Sequence, residues 1–249
     1  MKPIGLQLYT LRDWAAQDFP AVLKKVADIG YKGVEFAGLH GMDAQAVRAL
    51  IDDLGLVACS AHGGIPTPEN AQQIIDECGE LGHTRLVTGP GGPLDTMDDV
   101  LAAADRLAAG TEALGRSGVY LGLHNHWAEF QPVDGVLPED VILEKAPRLF
   151  AQLDVYWIAV GGPDSAETVG RLKSRAPLLH IKDGPIDPPQ PHTAVGQGVL
   201  DMPSIIAAAD PNVLEWLIVE LDSCATDMVQ AVEDSYRYLI DNGLAAGNK

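Results

Sequence analysis

LLHIKDG, at residues 178–184, is a short apolar segment that becomes polar toward its end. Continuous apolar runs of this length are typical of parallel strands that are buried on both faces. Seven other segments have the same form, and we predict that all eight are strands. The other seven are IGLQLYTL (4–11), GVEFAG (33–38), LVACSAHG (56–63), TRLVTGPG (84–91), VYLGLHNH (119–126), LFAQLDVYW (149–157) and EWLIVELD (215–222).

Amphipathic segments separate these runs. In three of them, apolar residues recur at spacings of three and four, which predicts helices with one buried face. We expect Asp43 and Asp201 to cap helix N-termini, and glycines before the following strands to end helices. The apolar stripes are Phe19, Val22, Leu23 and Val26; Val47, Leu50, Ile51 and Leu54; and Val229, Val232, Tyr236, Leu239 and Ile240, and the glycines are Gly30, Gly55, Gly82 and Gly118.

Eight strands that alternate with helices predict an α/β fold, a (β/α)₈ TIM barrel formed by one domain over residues 1–249. The main alternative is an open doubly wound sheet, which usually has a glycine-rich phosphate loop after its first strand. Residues 10–13 contain no glycine, and GPGGP at 89–93 lacks the GxGxxG spacing and fits a plain loop. The proline- and glycine-rich residues 183–198 are expected to form a lid or a contact with another subunit.

The charge balance limits the partners of the protein. The formal net charge of −18 would repel a phosphate backbone, which argues against nucleic acid. The three cysteines, Cys59, Cys78 and Cys224, have no CxxC spacing, and neither a signal peptide nor a membrane span is recognisable. We therefore expect a cytoplasmic protein that does not act at a membrane.

Ionisable side chains interrupt the apolar runs near their carboxyl ends, where a barrel of this type builds its site. Asp154, His180 and Glu220 follow three consecutive strands, and their oxygen and nitrogen donors suit one divalent ion. His124 is the preferred fourth ligand, with His126 and Glu129 as the other choices. The remaining candidates for the same rim are Glu35, His62, Trp157, Lys182, Asp183 and Asp222.

These remaining residues are expected to serve the substrate. Glu35 and His62 would contact it or support the metal ligands, and Trp157 would form an apolar wall for a sugar ring or simply pack. Lys182 would bind an anionic or carbonyl group, or pair with Asp183. His40, His83 and His192 are interpreted as ordinary loop or helix-end residues. A serine hydrolase is disfavoured because there is no GxSxG motif.

At these residues the chain resembles the sugar phosphate isomerase/epimerase family of xylose isomerase-like TIM barrels. The resemblance rests on GLQLYTLR, GYKGVEF, LHNHWAEF, LDVYW, HIKDG and IVELD, and it runs through the whole chain. It implies a manganese, magnesium, zinc or cobalt ion held by Glu, Asp, His and Glu on the last four strands. Asp154, His180 and Glu220 match the last three positions, whereas His124 replaces the first glutamate. A homo-oligomer is expected from the resemblance alone.

The predicted function is that of a divalent-metal-dependent isomerase or epimerase, which acts on a sugar, keto-sugar or cyclitol through an enediolate. Glu220 would be the base and His124 or His126 the acid, while Glu35, His62, Glu129 and Lys182 would hold hydroxyl groups. Loss of a hydroxyl from the same enediolate would instead give a dehydratase or lyase that acts on an inosose or 3-keto-sugar. A third alternative is a non-catalytic sugar-binding barrel with a degenerate metal site. A zinc-dependent apurinic endonuclease is opposed by the net charge.

Overall fold

Eight parallel strands close into a barrel in the computed structural model, which describes residues 1–189 and 191–249. Each strand pairs with the next along the chain, and the first strand closes the ring by pairing with both the second and the eighth. A ninth, two-residue strand pairs with the first strand outside the ring. The strands are β1 (Lys2–Gln7), β2 (Gly33–Phe36), β3 (Val57–His62), β4 (Arg85–Thr88), β5 (Tyr120–His124), β6 (Phe150–Asp154), β7 (Leu178–Ile181), β8 (Trp216–Val219) and β9 (Ala245–Ala246).

Helices connect the strands and cover the outside of the barrel. Asp43 caps the helix Ala44–Asp53 and Asp201 caps the helix Met202–Ala208, as predicted, because their carboxylates accept backbone N–H bonds of the first turn. Two 3₁₀ helices, Leu8–Leu11 and Ala128–Phe130, follow β1 and β5. The α-helices are α1 (Arg12–Ala15), α2 (Phe19–Ile29), α3 (Ala44–Asp53), α4 (Ala71–Leu81), α5 (Met97–Leu114), α6 (Pro138–Lys145), α7 (Val155–Gly161), α8 (Ser165–Leu172), α9 (Met202–Ala208) and α10 (Met228–Asp241).

The predicted (β/α)₈ fold is therefore confirmed, but several element boundaries were predicted wrongly. The apolar run of β1 turns into a 3₁₀ helix because the side chain of Gln7 accepts a hydrogen bond from Tyr9 N. Residues 155–157 were expected to continue β6, yet α7 begins there because Asp154 caps it. The helix α5 ends at Gly115 (φ 58°), not at Gly118.

Alternation along the strands separates an apolar floor from a polar mouth inside the barrel. Because side chains two residues apart share a face, Phe150, Gln152 and Asp154 all point inward along β6. Apolar residues from five strands form a buried cluster inside the barrel, and polar residues lie at the carboxyl ends. That cluster comprises Cys59, Val87, Phe150, Leu178 and Ile218.

None of the helices in the described part of the chain combines the length and the hydropathy that a bilayer-spanning segment needs.

Candidate functional site

Four predicted metal ligands meet at the carboxyl ends of neighbouring strands. His124 and Asp154 end β5 and β6, His180 lies in β7, and Glu220 directly follows β8. One donor atom from each residue lies within 4.8 Å of the others, and all four residues are buried. Two imidazole nitrogens and two carboxylate oxygens make a donor set that borderline divalent ions accept.

His180 connects this cluster to a fifth residue. Its Nδ1 lies 2.9 Å from Glu220 Oε2, and its Nε2 lies 2.6 Å from Glu35 Oε1. Burial alone would lower the pKa of His180, but Glu35 and Glu220 raise it to about 10. Two tetrahedral ligands at about 2.1 Å from one ion are roughly 3.4 Å apart, so Nδ1 and Oε2 would need to separate by only about half an ångström to share an ion. The Nε2–H bond to Glu35 would orient the ring, as carboxylates commonly do for metal-bound histidines.

Glu35 is completely buried beneath the predicted ligands. Its Oε1 accepts a hydrogen bond from Gln7 Nε2 at 2.7 Å, and His62 Nε2 lies 3.1 Å from the same oxygen. Its Oε2 accepts bonds from Ser60 Oγ and Gln152 Nε2, both at 2.5 Å. Burial would raise the pKa of Glu35, but the neighbouring imidazoles, His62 foremost, hold it well below its usual range. This carboxylate is therefore ionised and fully occupied by protein donors.

The side-chain amide of Gln152 contacts two imidazoles and fixes the tautomer of one of them, His124. Because its Nε2 donates to Glu35, its Oε1 must accept, and it lies 3.0 Å from His124 Nδ1 and 2.9 Å from His62 Nε2. Burial, and then the charges of His180 and His62, holds the pKa of His124 well below its usual range. His124 is thus neutral with its proton on Nδ1, and Nε2 carries the lone pair that a metal ligand needs.

The two carboxylate oxygens of Asp154 differ in their hydrogen bonds. Its Oδ1 accepts 3.0 Å hydrogen bonds from Tyr156 N and Trp157 N at the start of α7. Its Oδ2 is buried and has no hydrogen-bond partner among the described residues, although Lys182 Nζ lies 3.0 Å away. Burial raises the pKa of Asp154 more than Lys182 lowers it. A buried carboxylate oxygen with spare lone pairs fits a metal ligand.

Lys182 places a positive charge among the carboxylates. Its buried Nζ lies 3.0 Å from Asp154 Oδ2, 2.9 Å from Glu220 Oε2 and 2.7 Å from Asp222 Oδ2. These carboxylates raise its pKa, although burial alone would lower it. Lys182 therefore pairs with Asp222 and not with Asp183, the partner considered from the sequence. Asp183 instead accepts backbone N–H bonds from Gly184, Gly196, Gly198 and Leu200.

A cavity of about 500 Å³ opens above the cluster. His126 lines it and is exposed, whereas Glu129 is buried and accepts a hydrogen bond from the backbone N–H of His126. Glu35 and Lys182 are fully buried and do not line this cavity. Its walls are formed by Tyr9, Ala37, His62, His124, His126, Trp127, Trp157, Glu220 and Asp222.

Some of these residues were missed by sequence reasoning. Gln152 lies two residues before Asp154 on the same strand, so strand alternation could have identified it, and Gln7 is a comparable polar break in β1. His192 was interpreted as an ordinary loop residue, yet it is fully buried, and its Nδ1 accepts a hydrogen bond from Asp222 N. No local pattern indicates this, because a long loop brings His192 to the site.

The fold and the site together define a (β/α)₈ barrel with a candidate metal centre at the carboxyl ends of its last four strands. The chain belongs to the xylose isomerase-like TIM barrel family, whose sequence model matches residues 23–241. The resemblance seen in the sequence is thereby confirmed.

Solved structures with this fold include proteins of several activities. A sugar phosphate isomerase/epimerase from Parabacteroides distasonis ATCC 8503 is 26% identical, with a TM-score of 0.83 over 98% of this chain and 96% of that one. An L-ribulose 3-epimerase is 19% identical, with a TM-score of 0.73 over 98% and 95% of the two chains. The probable 3-DHS dehydratase AsbF from Bacillus anthracis is 13% identical, with a TM-score of 0.75 over 96% and 99%. The last two likenesses show the fold alone. No curated protein sequence matches the chain.

Proposed function

We propose that the protein is a divalent-metal-dependent isomerase or epimerase of a sugar, keto-sugar or cyclitol. The observation that carries this proposal is the convergence of His124, Asp154, His180 and Glu220 within 4.8 Å beneath an open cavity. These four side chains would hold manganese, zinc, cobalt or magnesium. When bound, such an ion supplies a Lewis acid that polarises a substrate carbonyl and orients a neighbouring hydroxyl.

Glu220 is the residue that would remove the proton next to the carbonyl. It lines the cavity, and Lys182 and then His180 hold its pKa well below its usual range, although burial would raise it. It is therefore ionised at neutral pH, which is the form that a proton acceptor needs. Removal of the proton gives an enediolate, and return of the proton at another face or carbon gives the epimer or isomer.

A second residue must return the proton from another side. His124 is poorly suited, because its proton is held on Nδ1 by Gln152 and Nε2 has only a lone pair. His62 lines the cavity from β3, and its Nε2 is held by Glu35 and Gln152, so that Nδ1 can face a ligand. We assign proton return to His62, with His126 as the other imidazole on the cavity wall.

Glu35 has a supporting role in this proposal. Both of its oxygens are occupied by protein donors, so it would orient His180 and His62 and leave the substrate to other residues. The apolar wall beside the reacting carbon would come from Trp157, which lines the cavity and is 4% exposed.

The experiment is proton exchange measured by NMR in deuterated water. Protein stripped with a chelator would be reloaded with each of the four metals and incubated with ketoses, keto-glycosides and inososes. We expect one equivalent of metal to bind to the wild type and none to the Asp154→Ala/His180→Ala double variant. With metal, the hydrogen next to the carbonyl should exchange with solvent, and Glu220→Gln should slow this exchange about 10²- to 10⁴-fold.

His62→Gln separates the two proton transfers. Exchange of the substrate hydrogen should persist in this variant, while formation of the epimer or isomer falls, and His126→Gln should have the smaller effect. His83→Gln is the matched control, because His83 is buried but does not line the cavity. Wild-type exchange rates in Glu220→Gln, or full exchange without any divalent metal, would refute the proposal.

A further inference from the structure

A second cavity adjoins the first one. It has a volume of about 360 Å³ and is lined by Trp127, Gln131, Trp157, Val160 and Pro189. Trp127 and Trp157 also line the 500 Å³ cavity above the metal ligands. The two cavities therefore share a wall of two indoles, so that one ligand could extend from the first into the second.

The two cavities differ in chemistry. The first is lined by ionisable groups that include Glu220, Asp222 and His62. Among the described residues, those that line the second include no charged side chain, and Gln131 carries its only side-chain amide. A sugar ring in the second cavity would lose hydrogen bonds to water and find few replacements. An apolar group has no hydrogen bonds to water to lose, and burial of its surface is favourable in free energy.

The indoles favour an aromatic group in particular. The rings of Trp127 and Trp157 lie 5.1 Å apart at 51°, and Trp127 is 43% exposed. Trp157 is held from behind by edge contacts with Tyr156 at 5.0 Å and His192 at 5.9 Å. A large exposed indole beside a fixed one provides a surface on which an aromatic ring can pack with favourable ring-to-ring geometry.

Trp157 also has an unused donor. Its Nε1–H is buried and has no acceptor among the described residues. Buried donors in folded proteins nearly always have a partner, so an internal water molecule is the acceptor expected here. Trp157 therefore offers a ligand in either cavity its ring and not its N–H.

We propose that the second cavity is a subsite for an aromatic group linked to the sugar, so that the substrate class is that of aryl glycosides. This inference rests on the proposed function, since it assumes that the first cavity holds the sugar. It has a chemical consequence. The anomeric carbon of a glycoside is an acetal and has no carbonyl, so the carbonyl group that the enzyme enolises must be a ketone elsewhere on the ring.

Calorimetric binding to the metal-loaded protein tests this subsite. The probes are phenyl and methyl D-glucopyranosides, each as both anomers. We expect one phenyl anomer to bind at least about 10-fold more tightly than its methyl counterpart. Val160→Asp should make the phenyl and methyl affinities equal, because Val160 lines the second cavity and not the first, and a charge there opposes burial of an aromatic ring. Gln131→Glu should have the same effect, and because Gln131 is exposed this charge does not have to be buried in the fold. Val57→Asp, which places the same charge on a half-exposed strand residue away from both cavities, should preserve the ratio.

The outcomes separate this inference from the proposed function. Equal affinity for phenyl and methyl glycosides, absence of binding by either, or a phenyl preference that survives both Val160→Asp and Gln131→Glu would overturn the aryl subsite. None of these results affects metal-dependent proton exchange on small ketoses or inososes, which would still support the proposed function. Loss of that exchange with a retained phenyl preference would instead leave a subsite on a protein with another activity.

Discussion

Replacing Gln152 with methionine removes the amide that joins the imidazoles to the buried carboxylate. In the native protein this amide donates to Glu35 at 2.5 Å and accepts from His124 at 3.0 Å and His62 at 2.9 Å. Methionine has a similar length and no hydrogen-bonding N–H or carbonyl, so the substitution tests the amide while it preserves the packing volume.

The expected loss of stability depends on which of the groups around Gln152 still have a hydrogen-bond partner in the variant. Glu35 keeps its bonds from Gln7 and Ser60, and His62 keeps Glu35, so neither group is stranded. The lost bond to the Glu35 carboxylate accounts for roughly 1.5–3 kcal/mol. His124 Nδ1–H loses its only hydrogen-bond partner among the described residues, which costs about 1–3 kcal/mol more. With some relaxation, we expect a total loss of about 3 kcal/mol, or roughly 6–12 °C in Tm for a chain of this size.

Urea and thermal unfolding of the metal-free proteins would measure this difference. Gln72→Met is the matched control, because Gln72 is exposed and its amide bonds to Asp76 alone among the residues that the structure describes, and its effect should stay within about 0.5 kcal/mol. Metal affinity of Gln152→Met should also fall about 10- to 100-fold, since His124 loses the group that orients it. A Gln152→Met protein within about 0.5 kcal/mol of the wild type would refute the role given to this amide.

Three other substitutions test separate parts of the structure. Burial raises the pKa of Glu139 well above its ordinary value, and neither of its oxygens has a hydrogen-bond partner among the described residues. As the pH rises, the Glu139 carboxyl ionises in the unfolded chain before it does so in the folded protein, and this destabilises the wild type above about pH 4.5. Glu139→Gln removes this effect. In urea unfolding the variant should therefore be more stable than the wild type by at least about 1 kcal/mol near pH 8 and equally stable near pH 4. Lys182→Met should raise the calorimetric affinity for Mn²⁺ at least about 10-fold, because it removes a fixed positive charge beside two predicted ligands, and weaker binding would contradict this. Gly122→Ala should cost about 1–3 kcal/mol in thermal unfolding because its Cβ would overlap the ring of Phe150, whereas Gly64→Ala, with open space around it, should not.

The strands were predictable because burial on both faces makes them continuous apolar runs, as in LLHIKDG. Their ends were not, because each end depends on one side chain that turns back to the backbone. Gln7 accepts from Tyr9 N and starts a 3₁₀ helix, and Asp154 accepts from the first turn of α7. Apolar residues continue through both points, so hydropathy alone extends the strand too far.

The candidate ligands could be predicted for a related reason. A charged residue that closes an apolar strand cannot lie in the core alone, so Asp154, His180 and Glu220 had to meet partners at the barrel mouth. Two features needed the three-dimensional structure. The burial of His192 depends on contacts with residues distant in the sequence, Trp157 and Asp222, and the pairing of Lys182 with Asp222 depends on the spacing of two strands. Neither feature can be recognised from the spacing of apolar and polar residues along the sequence.

The balance of charge at the site explains how so many carboxylates can be buried together. The four carboxylates are opposed by Lys182 and by the imidazoles of His62 and His180, whose pKa values are raised by Glu35. With every group ionised, four negative charges face three positive ones. His180 Nδ1 must lose its proton to bind a divalent ion, and the site then holds four negative and four positive charges. The carboxylates in question are Glu35, Asp154, Glu220 and Asp222. Lys182 repels a divalent ion at these ligands and so lowers its affinity, but while the lysine is present one divalent ion is enough to neutralise the four carboxylates.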